Sequence, residues 1–258
     1  MSRNSVASQV RNEVDKMVPG TIFTVEDLST SKSNIKATKD ALYRIYTNSI
    51  DVVKVSDGLY SKPKVSTFGV SVNNRVRLSG FRYTKAIVRK ANSEEVTGYE
   101  VGDGLFNKVG LTTQVPMVKE YVSSKRLPRE LKIAGGYYRV KRDVKRDINC
   151  VTVPIYEFAY ILNNIKKVQD IDIRQVYPTL KPYLDNVDDR TFKLLMGELK
   201  GKTSKALLGA LFSEYEQKEG VTRLSFTTAL KNLIEKNSKY TVGVAAKGLS
   251  FSKVWKLA

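Results

Sequence analysis

The stretch TIFTVEDLSTSKSNIKATKDALYRIYTNSIDVVKVSDGLYSK, Thr21–Lys62, is the part of the chain whose reading decides the fold. Thr24 suits a helix N-cap, with Asp27 three residues on to reach back as in a capping box. Phe23 and Leu28 are placed to staple that start, which predicts a short helix over Val25–Ser29. Ser31–Ser33 supply a turn. Ile35, Thr38, Leu42 and Ile45 then recur at spacings of three and four, the mark of a buried helix face. Lys32, Lys36, Lys39 and Tyr43 form a second, basic stripe. Beyond this helix, the β-branched run Asp51–Ser56 and the returning Leu59–Lys62 flank Asp57-Gly58, which predicts a hairpin with a type I′ turn.

Working outward, Val6, Val10, Val14 and Met17 predict a first helix over Val6–Val18, stopped by Pro19-Gly20. Helix, helix, basic helix and hairpin is the order of a winged helix-turn-helix, whose basic helix enters a major groove. On that reading Lys32, Ser33, Asn34, Lys36, Lys39, Tyr43 and Arg44 face base edges and phosphates of double-stranded DNA. Lys54, Lys62 and Lys64 on the wing clamp the backbone. The alternative for the helix taken alone is an ordinary amphipathic helix with a solvated basic face.

The expected fold class is α+β, with a DNA-binding domain over 1–67 and a larger mixed α/β domain over 68–258. Short strands are expected at Val70–Val72, Tyr137–Val140 and Ile148–Val153, and helices around Arg82–Lys90 and Val101–Val109. Residues 154–236 read as mainly helical, with Phe192, Leu195, Met196 and Leu199 as one apolar stripe. Another helix is expected at Thr228–Leu233, and Trp255 lies in a tail of undefined structure.

Composition narrows the chemistry. The 258 residues contain no histidine and a single cysteine, Cys150. That removes Ser-His-Asp and Cys-His catalysis, nearly every common zinc site and any intrachain disulfide. Cys150 is expected in a buried strand. No apolar run reaches the ~18–20 residues of a membrane span, and the N-terminus lacks the apolar centre of a signal peptide, so a cytoplasmic protein is expected. With 44 Lys+Arg against 26 Asp+Glu, the net charge is +18. Residues 68–150 carry 17 basic and 8 acidic side chains, whereas residues 1–67 carry 10 and 7. The excess in the middle segment favours a polyanionic or acidic partner there.

The stretch GYEVGDGLFNKVGLTTQVP, Gly98–Pro116, resembles the signature of AbiEi-like antitoxins of type IV toxin–antitoxin systems. Gly58-Leu-Tyr-Ser-Lys-Pro63, Lys125-Arg126 and Ile165-Lys-Lys-Val-Gln-Asp170 are similar to further pieces of that family. Phe106 stands where the family usually has a small residue, and Gln169 where it often has proline. The resemblance implies a winged helix-turn-helix repressor of the protein's own promoter. It also implies a domain that counteracts an adjacent-gene nucleotidyltransferase-like toxin, directly or indirectly. Lys125, Arg126, Arg129 and Lys132 are the candidate basic surface for that role. Gly98, Gly102 and Gly104 do not make a phosphate loop, since no Lys-Ser/Thr follows them. Gly110-Leu-Thr-Thr is instead read as a helix stop and turn.

No catalytic residue, metal or cofactor is expected, and the protein is not expected to be an enzyme. Three other readings remain open: a plain transcriptional regulator, an RNA-binding accessory protein, and a Mg²⁺-dependent nuclease. The nuclease would use Asp188 or Asp189 with Glu198 and Lys200, or Glu130 with Lys132. Glu198 and Lys200 on one continuous helix would point to different faces, which disfavours it.

Overall fold

The computed structural model describes residues 5–63, 80–133, 135–168, 170–235 and 238–258. Lys64, the expected strand Val70–Val72 and the expected break after residue 67 lie outside the described residues. Among the described residues the protein is mixed α/β with two small sheets. It divides into two compact units interleaved along the chain: Met1–Glu100 with Met117–Cys150, and Val101–Pro116 with Val151–Ala258.

In the first unit, α1 (Val6–Asp15) starts at Ser5, whose hydroxyl oxygen accepts the Ser8 N–H at 3.2 Å. Its stripe is the expected one, with Val10, Val14 and Met17 buried. Strand β1 (Ile22–Phe23) follows. The helix expected over Val25–Ser29 is instead two short 3-10 turns, Val25–Asp27 and Ser29–Lys32, separated by an extended Leu28. The cause is tertiary. Glu13 of α1 accepts Ser29 N–H at 2.7 Å and Thr30 N–H at 3.3 Å, which restarts the helix at the second turn. Helix α2 (Ile35–Asn48) and the strands β2 (Val53–Ser56) and β3 (Leu59–Ser61) complete this segment. β3 is central and antiparallel to both neighbours, giving the order β1-β3-β2.

The same unit continues with α3 (Gly80–Val88) and a second sheet. The strands are β4 (Gly98–Val101), β5 (Val118–Ser123), β6 (Glu130–Ile133) and β7 (Gly136–Arg142), in the order β4-β5-β7-β6. β5 and β7 are parallel, and β6 and β7 antiparallel. One apolar cluster gathers Val10, Val14, Phe23, Leu28, Leu42 and Ile45. A second joins Ile22 of β1 and Leu59 of β3 to Tyr83 and Ile87 of α3 and to Tyr121 and Tyr138 of the second sheet. The hairpin therefore shares its core with residues far downstream.

The second unit is mainly helical, as expected for its C-terminal part. Its helices are α4 (Gly102–Val109), α5 (Val153–Asn164), α6 (Val176–Asp185), α7 (Asp189–Glu198), α8 (Lys202–Glu219) and α9 (Leu224–Lys231). α8 is central, with Leu207, Leu208, Ala210, Leu211 and Phe212 all fully buried. A helix apolar on successive residues must be covered on several sides. Trp255 from the tail is also buried, and its indole N–H donates to Ser213 Oγ at 2.9 Å. The tail is tied down by Tyr240 N–H to Lys256 O (2.8 Å) and Ala258 N–H to Tyr240 O (2.9 Å).

The strand expected over Ile148–Val153 is a turn running into α5, and Cys150 is exposed rather than buried. Pro154, in the first turn of α5, presets helical φ and ends any extended run there.

Candidate nucleic-acid interface

Asn34 starts α2 by accepting the Ala37 N–H on Oδ1 at 3.0 Å, and the Thr38 hydroxyl donates to the Asn34 carbonyl at 2.8 Å. Thr38, Ala41, Leu42 and Ile45 are buried. Ile35, expected on that face, is 42% exposed, because it opens the helix, and Thr38 is the first residue of the face to be buried. The opposite face presents Lys36, Lys39, Asp40, Tyr43, Arg44 and Thr47 to solvent, with Lys32 exposed in the preceding turn. Lys36, Lys39 and Tyr43 thus form the stripe their spacing predicts. Ser33 and Asn34 are exposed but shape the turn, since the Ser33 hydroxyl donates to Thr30 O at 3.0 Å.

The hairpin differs from the expected type I′ turn. That turn needs positive φ at both central residues, and here Gly58 alone has it, at 73°. A register shift between Lys54 and Ser56 takes up the difference. Lys54 pairs with Asp57 at 2.7 Å, and this hydrogen-bonded partner holds the lysine pKa above its ordinary value. Tyr43 meets Tyr46 edge-on at 5.3 Å, and Tyr46 meets Tyr60 of β3 at 6.0 Å, so aromatic rings link helix to hairpin.

Two expected cations are used elsewhere. Lys62 donates to the Val14 carbonyl at 3.0 Å and the Asp15 carbonyl at 2.6 Å, capping the end of α1 rather than reaching outward from the wing. Lys125 is 4% exposed and is not part of a basic surface. Its ammonium contacts Asp27 Oδ2 at 3.0 Å and donates to Ala86 O at 2.8 Å and Arg89 O at 3.0 Å, using all three protons. Burial pulls its pKa below the usual lysine value, and Asp27 offsets part of that.

The four residues of the expected basic run therefore do not share one face. Lys132 lies over the Tyr137 ring at 5.0 Å, and Arg129 is exposed. Arg126 is held by its backbone N–H on Glu26 Oε2 at 2.7 Å. It lines an open groove of about 660 Å³ together with Lys39, Tyr43 and Lys54. Its distance in sequence from α2 hid this meeting, and no local signal marked it.

In the second unit the two signature pieces are bonded to each other. Gly110 ends α4 with φ 86°, the stop expected there. Thr112 Oγ1 donates to Asp170 Oδ1 at 2.6 Å, Thr113 Oγ1 to Asp170 Oδ2 at 3.4 Å, and Asn107 Nδ2 to Thr112 O at 3.3 Å. The Thr112 hydroxyl is the chief cause of a lowered Asp170 pKa. Phe106 is buried beside Tyr160, with ring centroids 6.1 Å apart. These bonds and packings serve turn geometry and the core.

Asp188 of the nuclease reading caps α7, accepting the Thr191 N–H at 2.8 Å. Among the described residues, no three His, Cys, Asp or Glu side chains are grouped to hold a metal ion. None of the helices described is long and apolar enough to cross a membrane.

Neither curated proteins nor solved structures gave a match to the chain. A family model described as a family of unknown function, DUF6088, matches residues 9–181. That span takes in the α2 face, the hairpin, the Arg126 loop and the bonded signature, and the chain belongs to the DUF6088 family.

Proposed function

We propose that this protein is a cytoplasmic DNA-binding antitoxin that represses its own promoter and counteracts a nucleotidyltransferase-like toxin encoded beside it. The observation that carries the DNA-binding part is the α2 face. It is solvated, bears Lys36, Lys39, Tyr43 and Arg44, and stands beside an antiparallel hairpin. The order α1, β1, two helical turns, α2, β2, β3, with β1 paired to β3, suits a winged helix-turn-helix in which α2 is the recognition helix. Lysines on such a face reach guanine edges or phosphates, and Tyr43 and Arg44 extend the same surface. The antitoxin part rests on the resemblance of Gly98–Pro116 and its partner Asp170. On this reading the protein acts by binding and performs no group chemistry of its own.

A plain transcriptional regulator without a toxin would use the same α2 face. One set of measurements separates the two. Full-length protein should bind the native promoter in a gel shift. Lys36→Ala with Lys39→Ala should weaken that binding by about 1–3 kcal/mol for each base edge no longer read. Co-expressed with the neighbouring toxin, both the full-length protein and the double variant should restore growth. Promoter binding without growth rescue would leave a regulator only. Unchanged promoter affinity in a folded double variant would remove α2 as the recognition helix.

A further inference from the structure

A second groove in the first unit, of about 540 Å³, runs between the α1–β1 turn and the exposed side of α3. The charged groups lining it are Arg82, Lys85, Arg89, Lys90 and one acid, Glu94. Arg89 pairs with Glu94, and Lys90 pairs with Glu95 at 3.3 Å. Lys85 is exposed and has no ion-pair partner among the described residues. Arg82 and Lys85 on α3, and Arg89 just past its end with its N–H still bonded to Lys85 O at 2.9 Å, are spaced three and four apart, so they fall on one side of the helix axis. At ~1.5 Å of rise per residue they make a cationic row about 10 Å long. Thr21, Asn92 and Ser93 add hydroxyl and amide groups to the same walls. Phe81, 77% exposed, stands at the start of the row.

We infer that this α3 groove is a second polyanion site, one that takes the phosphate backbone of duplex DNA alongside the site on α2. The inference rests on the proposed DNA-binding function and gives it a second binding surface. A row of four cations, two of them paired to Glu94 and Glu95, keeps an excess of positive charge that complements a strand carrying one charge per ~3.4 Å of axis. Phosphate-directed cations of this type position a protein without reading sequence. The α3 row therefore contributes affinity and salt dependence, and α2 contributes promoter preference.

The test measures binding of the full-length protein to a random-sequence duplex and to the native promoter across a salt series. Four proteins are compared: wild type, Lys85→Gln, Lys85→Gln with Arg89→Gln, and Lys85→Arg. Each cation withdrawn from a phosphate should flatten the log–log salt slope by about 0.9. The Lys85→Gln variant is expected to show about one such step, and the double variant up to two, equally on both duplexes. Lys85→Arg should keep the wild-type slope, which guards against a mere folding defect. A wild-type slope in the double variant overturns the α3 assignment and leaves the α2 reading standing. Failure of wild type to bind either duplex overturns both. A slope change seen on single-stranded RNA of equal length, and on neither duplex, overturns the duplex assignment in favour of RNA.

Discussion

The first unit buries a carboxylate paired with an ammonium, whereas the second buries an indole against a glycine. Asp27 Oδ2 accepts Thr24 N–H at 2.8 Å and the Thr24 hydroxyl at 3.0 Å, and Oδ1 accepts Ala91 N–H at 3.1 Å. The same carboxylate meets Lys125, which carries the β5–β6 loop with it. Trp255 fills the space beside Gly209 on α8, where no Cβ fits, and makes one hydrogen bond. The contrast concerns specificity. A buried ion pair holds distant segments in one register but fails badly when halved, while apolar packing degrades by increments.

The largest break expected is Lys125→Ala, which strands Asp27 in the interior. Losing one partner of a buried pair costs about 3–5 kcal/mol. Urea unfolding should show that loss, and hydrogen exchange should place it at the Thr24 and Ala91 amides of the first unit, which donate to Asp27. Changing both partners, Asp27→Asn with Lys125→Met, should recover part of it. A double variant as unstable as the single would mean that packing, not charge, is at stake.

A smaller break belongs to the second unit. Gly209→Ala drives a methyl into the Trp255 ring and should destabilise by about 1–3 kcal/mol. Tryptophan fluorescence reports directly on the displacement, since Trp255 is the only Trp in the chain. An unchanged spectrum with unchanged stability would show that the tail packs elsewhere.

The smallest effect has the opposite sign. Among the described residues the Tyr83 hydroxyl is buried without a hydrogen-bond partner, and its ring meets Tyr138 edge-on at 5.0 Å. Tyr83→Phe should raise stability by roughly 1 kcal/mol, because it removes an unsatisfied polar group. Burial also pushes the Tyr83 hydroxyl well above the usual tyrosine range and Tyr121 up to about 12. The folded state therefore holds protons that the unfolded chain releases near pH ~10. That contribution is complete below pH ~10 and is lost as pH rises through the folded values. The Phe variant should unfold less steeply with pH between about 10 and 12. An identical alkaline profile would contradict the assigned burial.

Much of this was legible in the residues. The α1 stripe, the α2 faces, α3, α4 with its Gly110 stop, and the helical second unit follow from periodicities of 3.6 and from turn chemistry. What escaped was nonlocal. Glu13 decides where a Ser/Thr-rich segment starts its turn, and no pattern within Ser29–Lys32 contains that fact. β5 and β6 were not foreseen because Lys119, Glu120, Glu130 and Lys132 blunt their apolar alternation, and pairing with β7 supplies the rest. At the candidate site, the exposed face of α2 could be read from spacing alone. The burial of Lys125, the turning of Lys62 onto α1 and the arrival of Arg126 beside Lys39 depend on chain segments 36 to 100 residues away.

The interleaving of the two units sets a timetable for synthesis. Thr112 leaves the ribosome 58 residues before its partner Asp170. At ~5–20 residues per second, that is a delay of about 3–12 s. Until α5 follows, Leu105, Phe106 and Leu111 of the second unit are made without the helix they pack against, while residues 117–150 go to finish the first. A nascent chain that must park an apolar segment during another unit's completion is exposed to mispairing at that moment. Slower translation across 117–170 should therefore lower the yield of native protein more than the same pause placed after residue 220.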